Sequence, residues 1–167
     1  WEEARPVAAK WLRDFGPNGP NQAMERTVVV LSSSCTGMLR NGYRELLPAS
    51  GSEFKAWEQA RPRILEFVEF VHAHPHRNRL QSVFQHKISY HDACSALREC
   101  GIRDQVRDLL AGVRGLELIE LPENETCCGF GGTFAVKYEG ISTAMADQKI
   151  GHYRQTGAEY LVSADLS

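Results

Sequence analysis

The stretch VFQHKISY (residues 83–90) is rich in β-branched and aromatic residues, a composition typical of β-strands. It is followed by apolar residues at helical spacing between Cys94 and Val113, and then by LELIELP (residues 116–122), a second strand that is ended by proline. A strand, a helix and a strand in this order predict a right-handed crossover between two parallel strands. The sequence therefore predicts an α/β fold for this part of the chain.

The same alternation continues on both sides of this unit. Residues Ile141 to Thr156 have helical spacing, Gly157 stands where a helix commonly ends, and EYLVS (residues 159–163) is typical of a short strand. Upstream, TVVVLSSS (residues 27–34) predicts a strand buried on both faces of a parallel sheet, with Cys35 directly after it. Cysteines at strand ends are candidate ligands, because α/β sheets commonly bind ligands there.

The remaining segments are predicted to be mostly helical. Residues 1–15 and residues 37–47 each carry apolar side chains at helical spacing, and a longer run extends from Glu53 to His74. Pro62 lies inside that run, where it either opens a second helix or kinks a single one. The stretch HAHPHRNRLQS (residues 72–82) is polar and broken by proline, and it predicts a domain boundary.

Composition excludes several classes of protein. A net charge of -2 gives no electrostatic reason to expect binding to nucleic acid or to an anionic membrane surface. No apolar run approaches the roughly 20 residues that a membrane-spanning helix needs, and no signal segment is visible. We therefore expect a cytoplasmic protein without a transmembrane segment. Because the chain begins on Trp1 inside a helical pattern, we also expect it to be a fragment of a longer protein.

The five cysteines carry most of the functional information. Without a secretion signal, metal binding or redox chemistry is a better expectation for them than a set of disulfides. Cys127 and Cys128 are adjacent, and Cys94 precedes them by thirty-two intervening residues. Adjacent thiolates do not easily bind one tetrahedral ion, but they can bind two neighbouring irons of a cluster. The spacing thus favours an iron–sulfur cluster, while a zinc site and plain buried or redox cysteines remain open.

Residues close to the cysteines have both functional and ordinary interpretations. The glycines of CCGFGG let the backbone approach a bulky cluster and offer its sulfides N–H donors: Gly129, Gly131 and Gly132. His91, three residues before Cys94, could bind metal, donate a hydrogen bond to a cluster sulfur, or be an ordinary polar group at a strand end. Cys100 has no place in the pattern, and we expect it to be a small buried apolar side chain.

A family resemblance is carried by three runs of sequence. SYHDACSALRECG (residues 89–101), GLELIELPENETCCGFGGTFAVKYEGISTAMADQKI (115–150) and EYLVSADLS (159–167) together resemble the second cysteine-rich CCG domain of the lactate utilization protein A family. More distant similarity is to an iron–sulfur component of glycolate oxidase, to the C component of anaerobic glycerol-3-phosphate dehydrogenase and to the B component of heterodisulfide reductase. The resemblance implies an α/β fold, in which a parallel-sheet CCG domain has helices on both faces and follows the end of a first, similar domain.

The resemblance also implies domain bounds and a ligand set. Residues 1–48 would be the remnant of the first CCG domain, 49–82 a helical linker, and 83–167 the second CCG domain. Each such domain binds a [4Fe-4S]-type cluster through a first cysteine, the CCG pair and a later cysteine. In this sequence the implied ligands are Cys94, Cys127 and Cys128 for the second site, and Cys35 as the last ligand of the first. A fourth ligand would follow SADLS, where the chain ends, so we expect the cluster in the full-length parent and a site lacking its last cysteine in the fragment.

The function implied by the resemblance is that of an iron–sulfur electron-transfer subunit in a complex that oxidises L-lactate, a 2-hydroxy acid. It would be an oxidoreductase subunit, inactive as an isolated fragment, whose partners are the other subunits of the complex. A small-molecule substrate would be reached through that complex, and any association with a membrane would be through those partners. The alternatives are a disulfide-reducing iron–sulfur subunit and a zinc-bearing or metal-free docking module without redox activity.

Overall fold

The computed structural model describes residues 2–19 and 26–165 and divides the chain into two compact units between Phe67 and Val68. The helices and strands of the first unit follow in this order: α1 (Arg5–Phe15), β1 (Val28–Val30), α2 (Ser33–Gly37), a π-helical segment (Met38–Gly42), α3 (Tyr43–Leu46), α4 (Ser52–Ala60), a 3-10 turn (Arg61–Arg63) and β2 (Ile64–Glu66). Helix α5 (Phe67–Ala73) begins at the division.

The first unit is built on a pair of parallel strands and a small apolar core. β1 pairs with β2 in parallel, with Val28 opposite Ile64. Trp57 is 2% exposed, packs among the buried side chains of α1 and α3, and donates its indole N–H to the carbonyl oxygen of Leu39 at 2.7 Å. Residues 52–66 therefore contribute both a core side chain and a strand to this unit.

Two local predictions for the first unit need correction. The run from Glu53 to His74 is not continuously helical, because α4 ends at Ala60 and Ile64 begins a strand. Pro62 lies in the 3-10 turn between them, and Ile64 is fully buried, so its pairing with β1 outweighs the helical spacing around it. The strand predicted over residues 27–34 is only three residues long and half-buried, since α2 already begins at Ser33.

The second unit contains a three-stranded parallel sheet. Its elements after α5 are a 3-10 turn (Arg77–Arg79), β3 (Lys87–His91), α6 (Cys94–Glu99), α7 (Asp104–Ala111), β4 (Glu117–Leu118), α8 (Gly132–Lys137), α9 (Glu139–Thr156) and β5 (Tyr160–Ser163). The strand order is β4-β3-β5, with Ile88 of the central strand opposite Leu118 on one side and Tyr160 on the other. The predicted parallel arrangement, and with it the α/β class, is confirmed.

Glycines in the left-handed conformation end or interrupt the helices of this unit. Gly157 follows α9 with φ +65°, as predicted from the sequence. Gly101, with φ +67°, separates α6 from α7, so the single helix predicted over residues 94–113 is two helices. Ile102 follows the break and is buried beside Tyr90 and Val106, which shows that the turn serves to bring another apolar side chain into the core.

No helix within the described ranges is long and apolar enough to cross a membrane. The domain bounds implied by the resemblance, with a first remnant at 1–48 and a linker at 49–82, remain predictions beside the observed division at Phe67 and Val68. The residue expected to supply the fourth ligand follows Ser167, and Ser167 itself lies outside the described residues.

Candidate functional site

The parallel sheet of the second unit brings the cysteine-bearing segments to one edge. β3 ends at His91 and α6 begins at Cys94, while the loop after β4 carries Cys127 and Cys128. β5 ends at Ser163. Because all three strands are parallel, the segments that follow them meet at the carboxyl ends of the strands. We call this region, formed by residues 91–95, 119–132 and 164–165, the cysteine edge.

A buried carboxylate ties the loop after β4 to the end of β3. Asp92 is 1% exposed, and it accepts hydrogen bonds from Arg107 Nη1 at 3.2 Å, Arg107 Nη2 at 2.8 Å and Asn124 Nδ2 at 2.8 Å. Its own backbone N–H donates to Asn124 Oδ1 at 3.1 Å. Asn124 therefore docks on Asp92 through two hydrogen bonds, three residues before the paired cysteines.

The charge on this carboxylate is balanced by Arg107. The same guanidinium also donates to Glu120 from Nε at 2.6 Å and from Nη2 at 2.8 Å. These hydrogen bonds, first to Glu120 and then to Asp92, raise the pKa of Arg107 above its already high ordinary value. The hydrogen bond from Arg107 is likewise the main cause that lowers the pKa of Glu120. Arg107 and Glu120 therefore stay ionised together at neutral pH.

A lysine from α9 holds the same loop from another side. Lys149 is only 5% exposed, and its Nζ donates to the carbonyl oxygens of Glu123 and Asn124, each at 3.0 Å. Burial lowers the pKa of Lys149, and the ionisable side chains of Cys128, Asp92, Cys127 and Glu123 oppose that shift. The amine is thus held against the backbone three residues before the paired cysteines.

The first glycine of the loop packs directly on α9. Gly129 has φ +84°, a conformation that favours glycine, and a Cβ placed there would lie 2.4 Å from the backbone oxygen of Ser142 and 2.9 Å from Met145 Cβ. The Ser142 hydroxyl donates to the carbonyl oxygen of Gly129 at 2.8 Å, and the Gly129 N–H points to Cys127 Sγ at 3.4 Å. Close contact with α9 therefore requires glycine at this position.

The other two glycines border open space. A Cβ on Gly131 or Gly132 would meet no atom within 4 Å apart from its immediate chain neighbours. Gly132 has φ +44°, whereas Gly131 is in an extended conformation. The space beside the CCGFGG backbone is therefore clear of side chains at these two positions.

His91 contributes a nitrogen that lacks a hydrogen-bond partner. Its Nδ1 is buried, and the described residues offer it no donor or acceptor. Burial is the main cause that lowers the pKa of His91, and the positive charge of Lys149 lowers it further, while Asp92 acts in the opposite direction. We therefore expect a neutral imidazole at pH 7.

The cysteines form no disulfide in the described part of the chain, and their surroundings differ. Cys94, Cys127 and Cys128 are half-buried at the cysteine edge, with Cys94 in the first turn of α6. Cys100 is half-buried and packs against the core, in agreement with its predicted apolar role. Cys35 is exposed in the first unit, where it lies inside α2 rather than at the end of β1.

These residues have the ligand types of an iron–sulfur site, but their side chains are not grouped around a common centre. Thiolates are the ligands that iron–sulfur clusters and zinc prefer, and three of them share one sheet edge beside open space at Gly131 and Gly132. Nevertheless, no three Cys, His, Asp or Glu side chains in the described part of the chain are grouped closely enough to hold a metal ion. The donor set therefore fits a cluster in its chemistry, whereas its convergence on a metal remains a proposal.

Comparison with known proteins agrees with this architecture. Residues 88–167 match the family model of the cysteine-rich domain named CCG. We call residues 88–167 the CCG domain after this match. β3, β4, α9 and β5 of the CCG domain all lie within or overlap the matched residues, and Cys94, Cys127 and Cys128 lie within them. The family resemblance inferred from the sequence is thereby confirmed.

Similarity to curated proteins extends beyond the CCG domain. The chain is 36% identical over 165 residues to lactate utilization protein A 1 of Bacillus anthracis, a match that covers 99% of this chain and 65% of that protein. It is 35% identical over the same length to lactate utilization protein A 2 of Bacillus cereus strain Q1. It is also 39% identical over 142 residues to lactate utilization protein A of Halalkalibacterium halodurans, covering 83% of this chain and 56% of that protein. The chain therefore spans less than two thirds of the length of these relatives.

Sequence reasoning found the cysteines of the CCG domain but missed the residues that hold their loop in place. Asp92 lies between His91 and Cys94, and only that proximity could have drawn attention to it. Lys149 follows Met145 by four residues and so shares its face of α9, a face that Gly129 contacts. Lys149 is the only buried residue of α9, and its role becomes visible only when the helix is placed against its loop.

Proposed function

We propose that this chain is the iron–sulfur electron-transfer part of an oxidoreductase that serves the oxidation of L-lactate or a related 2-hydroxy acid. The relatives described above are named for lactate utilization, which supports the substrate class. The observation that carries the redox role is the cysteine edge, where Cys94 and the Cys127–Cys128 pair are delivered to the same end of a parallel sheet. Other subunits of a lactate-oxidising complex are the proposed partners.

Each cysteine has a stated place in this proposal. Cys94, Cys127 and Cys128 would bind one [4Fe-4S]-type cluster together with a fourth ligand from outside the described residues, and Cys35 would belong to a separate site. When bound, such a cluster supplies one-electron transfer. The open backbone at Gly131 and Gly132 would leave room for it, as expected from the sequence.

The remaining residues of the edge act on the loop rather than on substrate. Asp92 and Arg107 hold Asn124, and Ser142 holds Gly129, so the backbone on both sides of the paired cysteines is fixed by hydrogen bonds. Such fixing lowers the entropy that the loop would lose on binding a cluster. His91 would offer a neutral ring at the end of β3, where a donor to a cluster sulfide is useful.

Metal content tests the proposal directly. The full-length protein should be purified without oxygen and assayed for iron, acid-labile sulfide and zinc, and its absorption should be recorded near about 400 nm. We expect Cys94→Ser, Cys127→Ser and Cys128→Ser each to lose about one cluster's worth of iron, because serine is a poor ligand for these irons. Cys100→Ser is the matched control, since Cys100 packs against the core of the same domain, and its iron content should equal that of the wild type.

The substrate class needs a separate measurement. With its partner subunits present, lactate should bleach the visible absorption of the oxidised cluster, and the three cysteine variants should not respond. A protein that contains stoichiometric zinc and no iron would contradict the redox role and support a docking module. A cluster that lactate does not bleach, but that a disulfide reoxidises after chemical reduction with dithionite, would contradict the substrate class alone.

A further inference from the structure

We propose, on the basis of the function proposed above, that Lys149 is a positioning residue of the cysteine edge. Its side chain fixes the backbone before the paired cysteines, and its positive charge, held at Asn124 three residues before Cys127, would stabilise the reduced form of the proposed cluster. The presence of a cluster comes from the proposed function, whereas the contacts of Lys149 with the loop are observed in the structure.

The contacts of Lys149 are specific. Its Nζ donates at 3.0 Å to two consecutive carbonyl oxygens, those of Glu123 and Asn124. Glu123 has φ +48°, which is uncommon for a residue other than glycine, so the lysine holds a turn that the backbone alone does not favour. The turn is followed at once by the segment that carries Cys127. A fixed turn therefore limits where the first cysteine of the pair can lie.

The position of this lysine is unusual for its residue type. Lysine is rarely almost fully buried without partners, because removing an ammonium group from water is costly. Here the two carbonyl oxygens accept two of its three N–H bonds, and within the described residues no acceptor is seen for the third. Its positive charge is thus held at the backbone of Asn124, three residues before Cys127.

The expected consequence for a bound cluster has a definite sign. Reduction adds an electron, so a nearby positive charge stabilises the reduced state and raises the reduction potential. Loss of the lysine charge should shift the potential to a more negative value. Loss of its hydrogen bonds should also loosen the loop, whether or not metal is present. The two effects can be measured separately.

The experiment compares three substitutions in the full-length protein. Lys149→Met removes both charge and donors, Lys149→Gln removes the charge and keeps an N–H donor, and Lys149→Arg keeps both. The control is Lys87→Met, because Lys87 lies at the amino end of β3, is about half exposed and has a long 3.6 Å contact with Glu117. It removes the same charge from the same domain at the opposite end of the central strand.

Amide hydrogen exchange gives the metal-free readout. The Thr126 N–H donates to the carbonyl oxygen of Glu123 at 3.0 Å, inside the turn that Lys149 holds. We expect exchange at Thr126 to be about tenfold faster in Lys149→Met, since losing about 1.4 kcal/mol of local stability corresponds to that factor. Lys149→Arg and Lys87→Met should exchange at the wild-type rate.

Redox titration of the reconstituted protein gives the second readout. The potential should move to more negative values in Lys149→Met and Lys149→Gln, and Lys149→Arg should restore it, which a purely structural role would not require. Wild-type exchange at Thr126 together with a wild-type potential in the Met and Gln variants would overturn the inference. A reduction potential in Lys149→Arg as low as that in Lys149→Gln would also overturn the inference.

If Lys149→Met does not fold, the Gln and Arg variants decide between these results. A wild-type protein that binds no iron would refute the proposed function, while exchange at Thr126 would still test the loop contact.

Discussion

Arg107 contacts both carboxylate oxygens of Asp92, at 3.2 and 2.8 Å, and it does so where Asp92 is 1% exposed. Removing the guanidinium leaves a buried, uncompensated carboxylate. We therefore expect Arg107→Met to lower the free energy of unfolding of the CCG domain by about 3–5 kcal/mol. Urea denaturation of the metal-free protein at pH 7 measures this change.

Arg103→Met is the matched control for that substitution. Arg103 pairs with Glu125 at 2.9 Å, but both side chains are more than half exposed, so the expected loss is at most about 1 kcal/mol. A second variant, Asp92→Asn with Arg107→Met, should recover part of the stability because the buried charge is then absent. Equal losses for Arg103→Met and Arg107→Met would contradict a structural role for the buried pair.

Gly129→Ala should be strongly destabilising. The left-handed φ of +84° and the contact of the new Cβ with the Ser142 backbone oxygen both oppose a side chain, and we expect a loss of about 3 kcal/mol. Gly131→Ala adds the same methyl group where the backbone is extended and the space is open, so its effect should stay within about 0.5 kcal/mol. Thermal unfolding of the two variants makes the comparison, and similar melting temperatures would refute the close contact with α9.

His91 should make the domain less stable in mild acid. Burial, reinforced by Lys149, lowers its pKa in the folded state, whereas the unfolded chain keeps an ordinary value of about 6.5. As the pH falls below about 6.5, the unfolded state binds a proton that the folded state resists, so stability decreases. Urea denaturation at several pH values between about 8 and 5 should show this slope in the wild type and a flatter one in His91→Gln.

His76→Gln serves as the control for the pH experiment. It replaces an exposed imidazole in the segment after α5, and its slope is compared with that of His91→Gln over the same pH range. A slope that persists in full in His91→Gln would assign the acid sensitivity to another group.

Ser95 and Asp165 should be energetically coupled. The Ser95 hydroxyl donates to Asp165 Oδ2 at 2.6 Å, which joins the first turn of α6 to the segment after β5. Hydrogen bonds to a charged group contribute about 1.5–3 kcal/mol, so a double-mutant cycle with Ser95→Ala and Asp165→Asn should give a coupling energy of at least about 1 kcal/mol. Additive losses in the two single variants would show that the contact contributes nothing.

The fold was predictable where short-range patterns and tertiary packing agree. The strand at EYLVS, the helix ended by Gly157 and the parallel crossover all follow from local sequence, and the structure contains them. The helical spacing of its neighbours predicts a helix at Ile64, yet Ile64 lies in strand β2, which pairs with β1. Periodicity along the chain does not reveal a partner strand far away in sequence, and that partner decides the conformation here.

The site was predictable only in its chemistry. Adjacent cysteines and glycines can be recognised from residue type and order alone, so Cys127, Cys128 and Gly129 could be proposed from the sequence. Gly129 was expected to admit a cluster, and the structure shows that it also has to fit against α9. The contacts of Lys149 with the loop join residues of different elements, and no local pattern encodes them.

The dependence of the cysteine loop on α9 has a consequence for biosynthesis. The loop leaves the ribosome before Ser142 and Lys149, so during translation its cysteines are exposed while the helix that fixes them has not yet been made. Domain assembly on a growing chain proceeds from the amino end, and an unfixed pair of neighbouring thiols is open to oxidation in that interval. Assembly of the proposed cluster on this loop should therefore be efficient only after α9 has been synthesised and has docked.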